Sequence, residues 1–283
     1  DDLYLKAIEW ETVVFDESHR LKSHSTQTFK RAAAIARQAP EVALVTGTPL
    51  LNHAEELWTS LHIIDPQHYR SYWRWVERYF EINLRRYAGR LVREVGKPLP
   101  GMLAELAATL RPLMHYVTLT EIMPDLPPTV ETELHVELSS AERKMYEDMK
   151  AKFWMEHAGN ITAAVNDAAK NVRLRQLSSD WSAFEDIEVP GAKVKAVAAL
   201  VEDMPDEQVV VFCAFRKTTE AVCAALAPGT ALPFHGGMSR EQRDGTLQSF
   251  KDGTTKVIAG TIRTMAEGID GLQVARNVIM LDR

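Results

Sequence analysis

Five short apolar runs, each bounded by turn-forming residues, constrain this chain more than any other feature. They are Thr12–Phe15, Val42–Thr46, Val209–Phe212, Lys256–Ala259 and Asn277–Leu281. The runs are continuous rather than alternating, as in parallel strands covered on both faces. Helical spacing fills the intervals at Thr26–Gln38, Ala54–Ile63, Ala192–Val201, Thr218–Leu226 and Arg240–Phe250. Asn52 with Glu55, Ser139 with Glu142, and Ser239 with Gln242 have the spacing of capping boxes. Strands alternating with helices predict an α/β fold with parallel sheets flanked by helices. The pattern occurs near the start and again after about residue 190, with a mainly helical insertion between. Pro98-Leu99-Pro100 interrupts that insertion, as does Met123-Pro124-Asp125-Leu126-Pro127-Pro128. Paired prolines stop helices and stiffen linkers, so the second segment is the hinge between a first lobe, 1–120, and a second, 121–283.

The 283 residues suffice for two ordinary domains, and 46% hydrophobic with 25% charged residues is a globular composition. No apolar run is long enough to cross a bilayer, and the first residues, Asp1-Asp2-Leu3-Tyr4, are not a signal peptide. The net charge of −6 lends no support to nucleic-acid binding, although a basic groove can exist on an acidic protein. Residues 1–120 hold 15 Lys and Arg against 14 Asp and Glu, leaving 18 against 25 for the remainder. The Arg-rich stretch Arg70–Arg93 reads best as a solvated helix face. Cys213 and Cys223 read as reduced core thiols rather than a disulfide or zinc site.

Chemistry concentrates at strand ends. Val13-Val14-Phe15-Asp16-Glu17-Ser18-His19 delivers two adjacent carboxylates to the edge where open α/β sheets bind ligands. Nucleotide hydrolysis needs a carboxylate that holds Mg²⁺ through water, and Asp16 suits it. It also needs a group that orients the attacking water, and Glu17 suits that as general base, with His19 placed to report the nucleotide state. Taken alone, such an acidic pair more often caps a helix. Leu44-Val45-Thr46-Gly47-Thr48-Pro49-Leu50 follows another apolar run; its hydroxyls and tight Gly47 turn could couple the site to a second surface. An ordinary strand–helix turn is the plainer reading of that segment.

In their order these motifs resemble the Swi/Snf-type branch of the superfamily-two helicase-like ATPases. The acidic box with His19-Arg20-Leu21-Lys22, then Thr46-Gly47-Thr48-Pro49-Leu50-Leu51-Asn52 and Glu56-Leu57-Trp58, carry the first half of the resemblance. Asp125-Leu126-Pro127-Pro128, Val172–Leu177, Val209–Phe215, Phe234-His235-Gly236-Gly237 with Arg243 and Phe250, and Thr261 through Gly268-Ile269-Asp270-Gly271-Leu272 carry the second. The resemblance implies two RecA-like lobes that bind ATP and Mg²⁺ between them and move along double-stranded DNA as they close and open. It places Thr46, Gly47, Thr48, Gly268 and Asp270 in coupling, and Arg20, Lys22, Thr261 and His235 along nucleic acid. Phosphate contacts would dominate, with little base readout.

The sequence also departs from the pattern. No Gly-rich phosphate loop is found: at Gly96-Lys97, residue 91 is Leu and Pro98 stands where Ser or Thr is needed. The arginine fingers expected after the fifth motif are also missing, which implies a fragment that does not turn over ATP by itself. His115-Tyr116 stand near where many members have adjacent arginines, and Glu267 and Asp270 where many eukaryotic members have Gly and Asn. With compact insertions, these imply a bacterial or phage branch and a cytoplasmic location. The alternatives are a strand-separating helicase of another branch and a non-enzymatic nucleic-acid-binding remnant. His235-Gly236-Gly237 reads as a tight turn rather than a metal site. The aromatics Tyr69, Tyr72, Trp73, Trp75, Tyr79 and Phe80 read as core rather than base-stacking residues. Lys144, Lys150 and Lys152 read as helix-surface charge.

Overall fold

Parallel pairing organises both halves of the computed structural model, which describes residues 5, 8–50, 53–87, 89–157, 160–184, 187, 189–266 and 268–282. The chain divides into two compact units, Asp1–Pro128 and Thr129–Arg283.

In the first unit, β1 (Thr12–Phe15) pairs in parallel with β2 (Glu41–Leu44), in the register Phe15↔Leu44. The connecting helix α1 (Gln27–Ala36) starts where the Thr26 hydroxyl accepts the Phe29 N–H. Helices α2 (Leu57–Ile64) and α3 (Tyr72–Tyr79) follow. Phe29, Ala33, Trp58, Leu61, Trp75, Val76 and Tyr79 form the core. The aromatic cluster is therefore packing: Tyr69, Trp75, Tyr79 and Phe80 are buried, and Tyr72 and Trp73 lie against them. The apolar runs of β1 and β2 are not buried on both faces as expected. Exposure alternates along each, and Val14 is 59% exposed, because their helices cover one face of the pair.

The insertion holds more helix than strand, as expected, but it also contains strands that the helical spacing did not announce. After α3 the chain forms a long antiparallel ribbon, β3 (Phe80–Tyr87) and β4 (Arg90–Pro98), then α4 (Met102–Leu110) and the short α5 (Leu119–Ile122). Only the start of the Arg-rich stretch is helix; Arg85, Arg86, Arg90 and Arg93 lie on the ribbon. Gly96-Lys97 lies within β4, so the apparent phosphate-loop fragment is strand.

The second unit begins with α6 (Ser140–Lys152), the hairpin β5 (Trp154–His157) and β6 (Asn160–Ala163), and α7 (Asp167–Ser179). Next come α8 (Ala192–Glu202), β7 (Val209–Cys213), α9 (Arg216–Ala225), β8 (Ala231–Phe234), α10 (Arg240–Lys251), β9 (Val257–Thr261), the short α11 (Ile262–Met265) and β10 (Asn277–Met280). The four strands form an all-parallel sheet in the order β10-β7-β9-β8. Period-two alternation sends Val209, Val211 and Cys213 to one core, with Val194, Val197 and Val222, and Val210 to another, with Ile258 and Phe250. This is the RecA-like arrangement of a parallel sheet flanked by helices.

Two of the three capping boxes are formed, at Ser139/Glu142 and Ser239/Gln242. Asn52 of the third lies outside the described residues. Glu142 does more than close its own helix. It is buried, and while one oxygen accepts the Ser139 N–H, the other accepts Ala192 N–H at 2.9 Å, capping α8 from 50 residues away.

Candidate functional site

Parallel register brings the two chemically loaded turns of the first unit side by side. β1 and β2 end level, and their exits are tied by Ser18 N–H to Val45 carbonyl at 3.0 Å and Val45 N–H to Phe15 carbonyl at 2.9 Å. The acidic box leaves β1 here and the Thr46-Gly47-Thr48 turn leaves β2. Asp16 is exposed, with Oδ1 accepting the Glu17 N–H at 2.8 Å. Glu17 adopts φ 48° and ψ 45°, a left-handed conformation rare outside glycine. His19 is the joint. Its Nδ1 lies 3.1 Å from Glu17 Oε2 and 3.1 Å from Thr46 Oγ1, while Thr46 Oγ1 accepts the Thr48 N–H at 3.1 Å. One largely buried imidazole thus links the acidic box to residue types 27 positions away.

The donor set fits a hydrated magnesium ion. Among the described residues no three His, Cys, Asp or Glu side chains gather around one point. An exposed carboxylate at a strand end is what an ion that keeps most of its waters and shares a nucleotide's phosphates uses. Lys22 lies 3.7 Å from Glu56 and is partly neutralised; Arg20 is exposed on the same short turn.

In the second unit, His235 and Thr261 line one groove of about 570 Å³ at the C-terminal edge of the sheet, with Ala214, Arg216, Gly237, Arg243, Arg263 and Thr264. His235 forms a tight turn, as expected: Met238 N–H donates to its carbonyl and Gly237 N–H to its Nδ1. The bond at Nδ1 leaves the ring proton on Nε2, facing Glu220 at 3.5 Å. Glu220 also holds Arg216 at 2.8 Å. Thr261 Oγ1 is 2.8 Å from Thr264 Oγ1, and Arg243 Nε is buried with no hydrogen-bond partner among the described residues. Three arginines, two hydroxyls and the Gly236-Gly237 backbone give this groove a lining whose chemistry suits an anion. Sequence reasoning missed Arg216 and Arg263. Their signal was a basic residue just beyond a strand's C-terminal end, where ligands sit in open sheets.

Gly268 takes φ 68°, and Asp270 is exposed two residues on. Its carboxyl is held below its ordinary range by Gln273 Nε2 at 2.7 Å and then by Lys251 at 3.3 Å. Glu267 lies outside the described residues. Both cysteines are free. Burial pushes the Cys213 thiol up to about 12, so at pH 8 only on the order of one molecule in ten thousand carries the thiolate. Iodoacetamide at that pH is therefore expected to leave Cys213 unmodified in the folded chain and to alkylate it in denaturant. Modification at equal rates in both states would show that the core around it is open.

Both halves of the chain resemble known proteins. A model of the SNF2-related domain matches residues 2–182, and one of the helicase conserved C-terminal domain matches 192–283. The chain is 31% identical over 178 residues to Protein CHROMATIN REMODELING 5 of Arabidopsis thaliana, covering 63% of this chain and 9% of that protein. It is 28% identical over 152 residues to the chromatin-remodeling ATPase INO80 of Cryptococcus neoformans, covering 54% and 8%. It thus spans less than a tenth of these relatives. The Sulfolobus solfataricus SWI2/SNF2 ATPase core in complex with dsDNA aligns with 99% of this chain and 59% of that one, at 19% identity and a TM-score of 0.44. Among the described residues no helix is long and apolar enough to cross a membrane. The SNF2-related model covers well over half of the residues and the helicase C-terminal model most of the rest; the chain belongs to the SNF2-related family of helicase-like proteins.

Proposed function

We propose that this chain is motor machinery of a DNA-dependent ATPase that couples ATP hydrolysis to movement along double-stranded DNA. The observation that carries the reading is the His19 joint between Glu17 and Thr46. Asp16 would hold Mg²⁺ through water. The magnesium-bound nucleotide supplies an electrophilic phosphorus with part of its charge neutralised. Glu17 orients water and accepts its proton. Any movement of Glu17 on gaining that proton is felt at His19 and passed to the Thr46-Gly47-Thr48 turn, a short path from chemistry to shape. Arg20 and Lys22 face nucleic acid in this reading, and Gly268 and Asp270 belong to the coupling machinery. Thr261, His235 and the groove arginines bind the DNA backbone. Compact insertions with Glu267 and Asp270 support a bacterial or phage branch working in the cytoplasm.

Duplex binding tests the reading with these 283 residues. Fluorescence anisotropy across a salt series should show affinity falling steeply, with a log–log slope of roughly −4 to −8 for five to nine phosphate contacts. Phosphate release should stay at background, since no phosphate loop is present in this sequence. Failure to bind duplex at low salt would remove the DNA half of the reading, and robust ATP turnover by this chain would show that the nucleotide site is built differently.

A further inference from the structure

The ribbon β3–β4 takes no part in the sites above. Its base is anchored: Phe80 is buried, and Ile82 and Val95 pack on the first unit's core. Beyond that it is exposed, with Leu84 at 64% and Leu91 at 65%. The register gives each outer rung the same composition: Leu84 faces Arg93, Val92 faces Arg85, Leu91 faces Arg86 and Tyr87 faces Arg90. Opposed residues share a face and successive rungs alternate faces, so arginine stands on both sides of the ribbon. The ribbon, residues 80–98, holds Arg85, Arg86, Arg90, Arg93 and Lys97 against Glu81 at its base and Glu94, on a chain whose net charge is −6.

We propose that the β3–β4 ribbon is a second contact for duplex DNA, entering a groove with its arginines on the flanking phosphates. This rests on the DNA reading above and extends it. Neither face offers the continuous apolar surface that the centre of a protein interface needs. Arginine stems do shield aliphatic rungs and charges do guard strand edges. Those needs would be met as well by mixed signs, whereas here each of the four outer rungs carries an arginine and none an acid. Arg85 pairs with Glu94 at 3.0 Å and Arg93 with Glu77 at 3.5 Å. Such exposed pairs contribute little and exchange readily for phosphate. The other two arginines, Arg86 and Arg90, are exposed at the tip. Dimensions agree: a two-stranded ribbon fits the major groove, about 12 Å wide and about 8.5 Å deep, and four rungs at about 3.4 Å reach its floor.

The test is anisotropy with the 283-residue chain on a labelled duplex of about 30 base pairs and on one of its strands, over a salt series. Arg86→Gln/Arg90→Gln should weaken duplex binding about 5- to 30-fold and reduce the salt slope by about 1 to 2. Arg86→Lys/Arg90→Lys should stay within about twofold, since a phosphate reads the charge. The melting temperatures of both variants should match the parent. If the glutamine pair binds like the parent while Arg216→Gln/Arg263→Gln is weakened, the ribbon proposal is overturned and the DNA reading stands. If the parent chain binds no duplex, both fall. An equal loss on single strand overturns the groove placement.

Discussion

Replacing Gly260 by valine is expected to destabilise the second unit by roughly 3 kcal/mol or more, a large part of a typical domain's 5–15 kcal/mol. A Cβ there would sit 1.8 Å from Met265 Sδ and 2.6 Å from the Phe234 carbonyl oxygen. The methionine can swing aside. The carbonyl cannot, because β8 pairs with β9 at this point, Phe234 opposite Gly260. The strand must either separate from its neighbour or displace the wall that Thr261 and His235 share. Thermal melts followed by circular dichroism would show a fall on the order of 10 °C for a unit of this size. Gly245→Ala is the control: it lies inside α10 with open space around it. Alanine should gain up to about 1 kcal/mol there from helix propensity alone. A Gly260→Val chain that melts with the parent would mean that β8 and β9 are not packed as described.

Arg216→Gln together with Arg263→Gln is expected to lower duplex affinity about 10- to 100-fold near 0.1 M salt and to reduce the salt slope by about 2. Both side chains line the groove of His235 and Thr261. Arg216 is held by Glu220, an exposed i,i+4 pair that contributes little to folding, so stability should change by less than about 0.5 kcal/mol. Thr261→Val removes a hydroxyl but no charge. It should weaken binding a few-fold and leave the slope alone, which separates the two kinds of contact. An arginine pair whose loss changes neither affinity nor slope would show that DNA does not enter this groove.

The sheets were legible in the sequence where runs of Val, Ile and Ala stood between turns, as at β7, β9 and β10. β8 was not, because Ala231-Leu232-Pro233-Phe234 places a proline in its middle, which argues against a strand. The structure tolerates it because β8 is the edge of the sheet. The ribbon was missed for a different reason. Its arginines and aliphatics follow each other too closely to separate period two from a solvated helix face, and the turn that would have settled it rests on Gly89, with φ 80°. At the site, Asp16, Glu17 and the threonines of the turn could be found one by one from strand ends. That His19 would touch both loops could not, since it depends on Phe15 standing opposite Leu44 rather than one residue away.

The backbone at Glu17 has a meaning of its own. Any side chain other than glycine's or asparagine's is uncomfortable at φ 48°, by about 1 kcal/mol or more, so the chain forgoes folding free energy to keep a carboxylate at that corner. In another setting glycine would be the cheaper occupant. On the proposed mechanism an acid there ties local strain to chemistry, and a gain in robustness at residue 17 would come only with the loss of the carboxylate that the proposal uses.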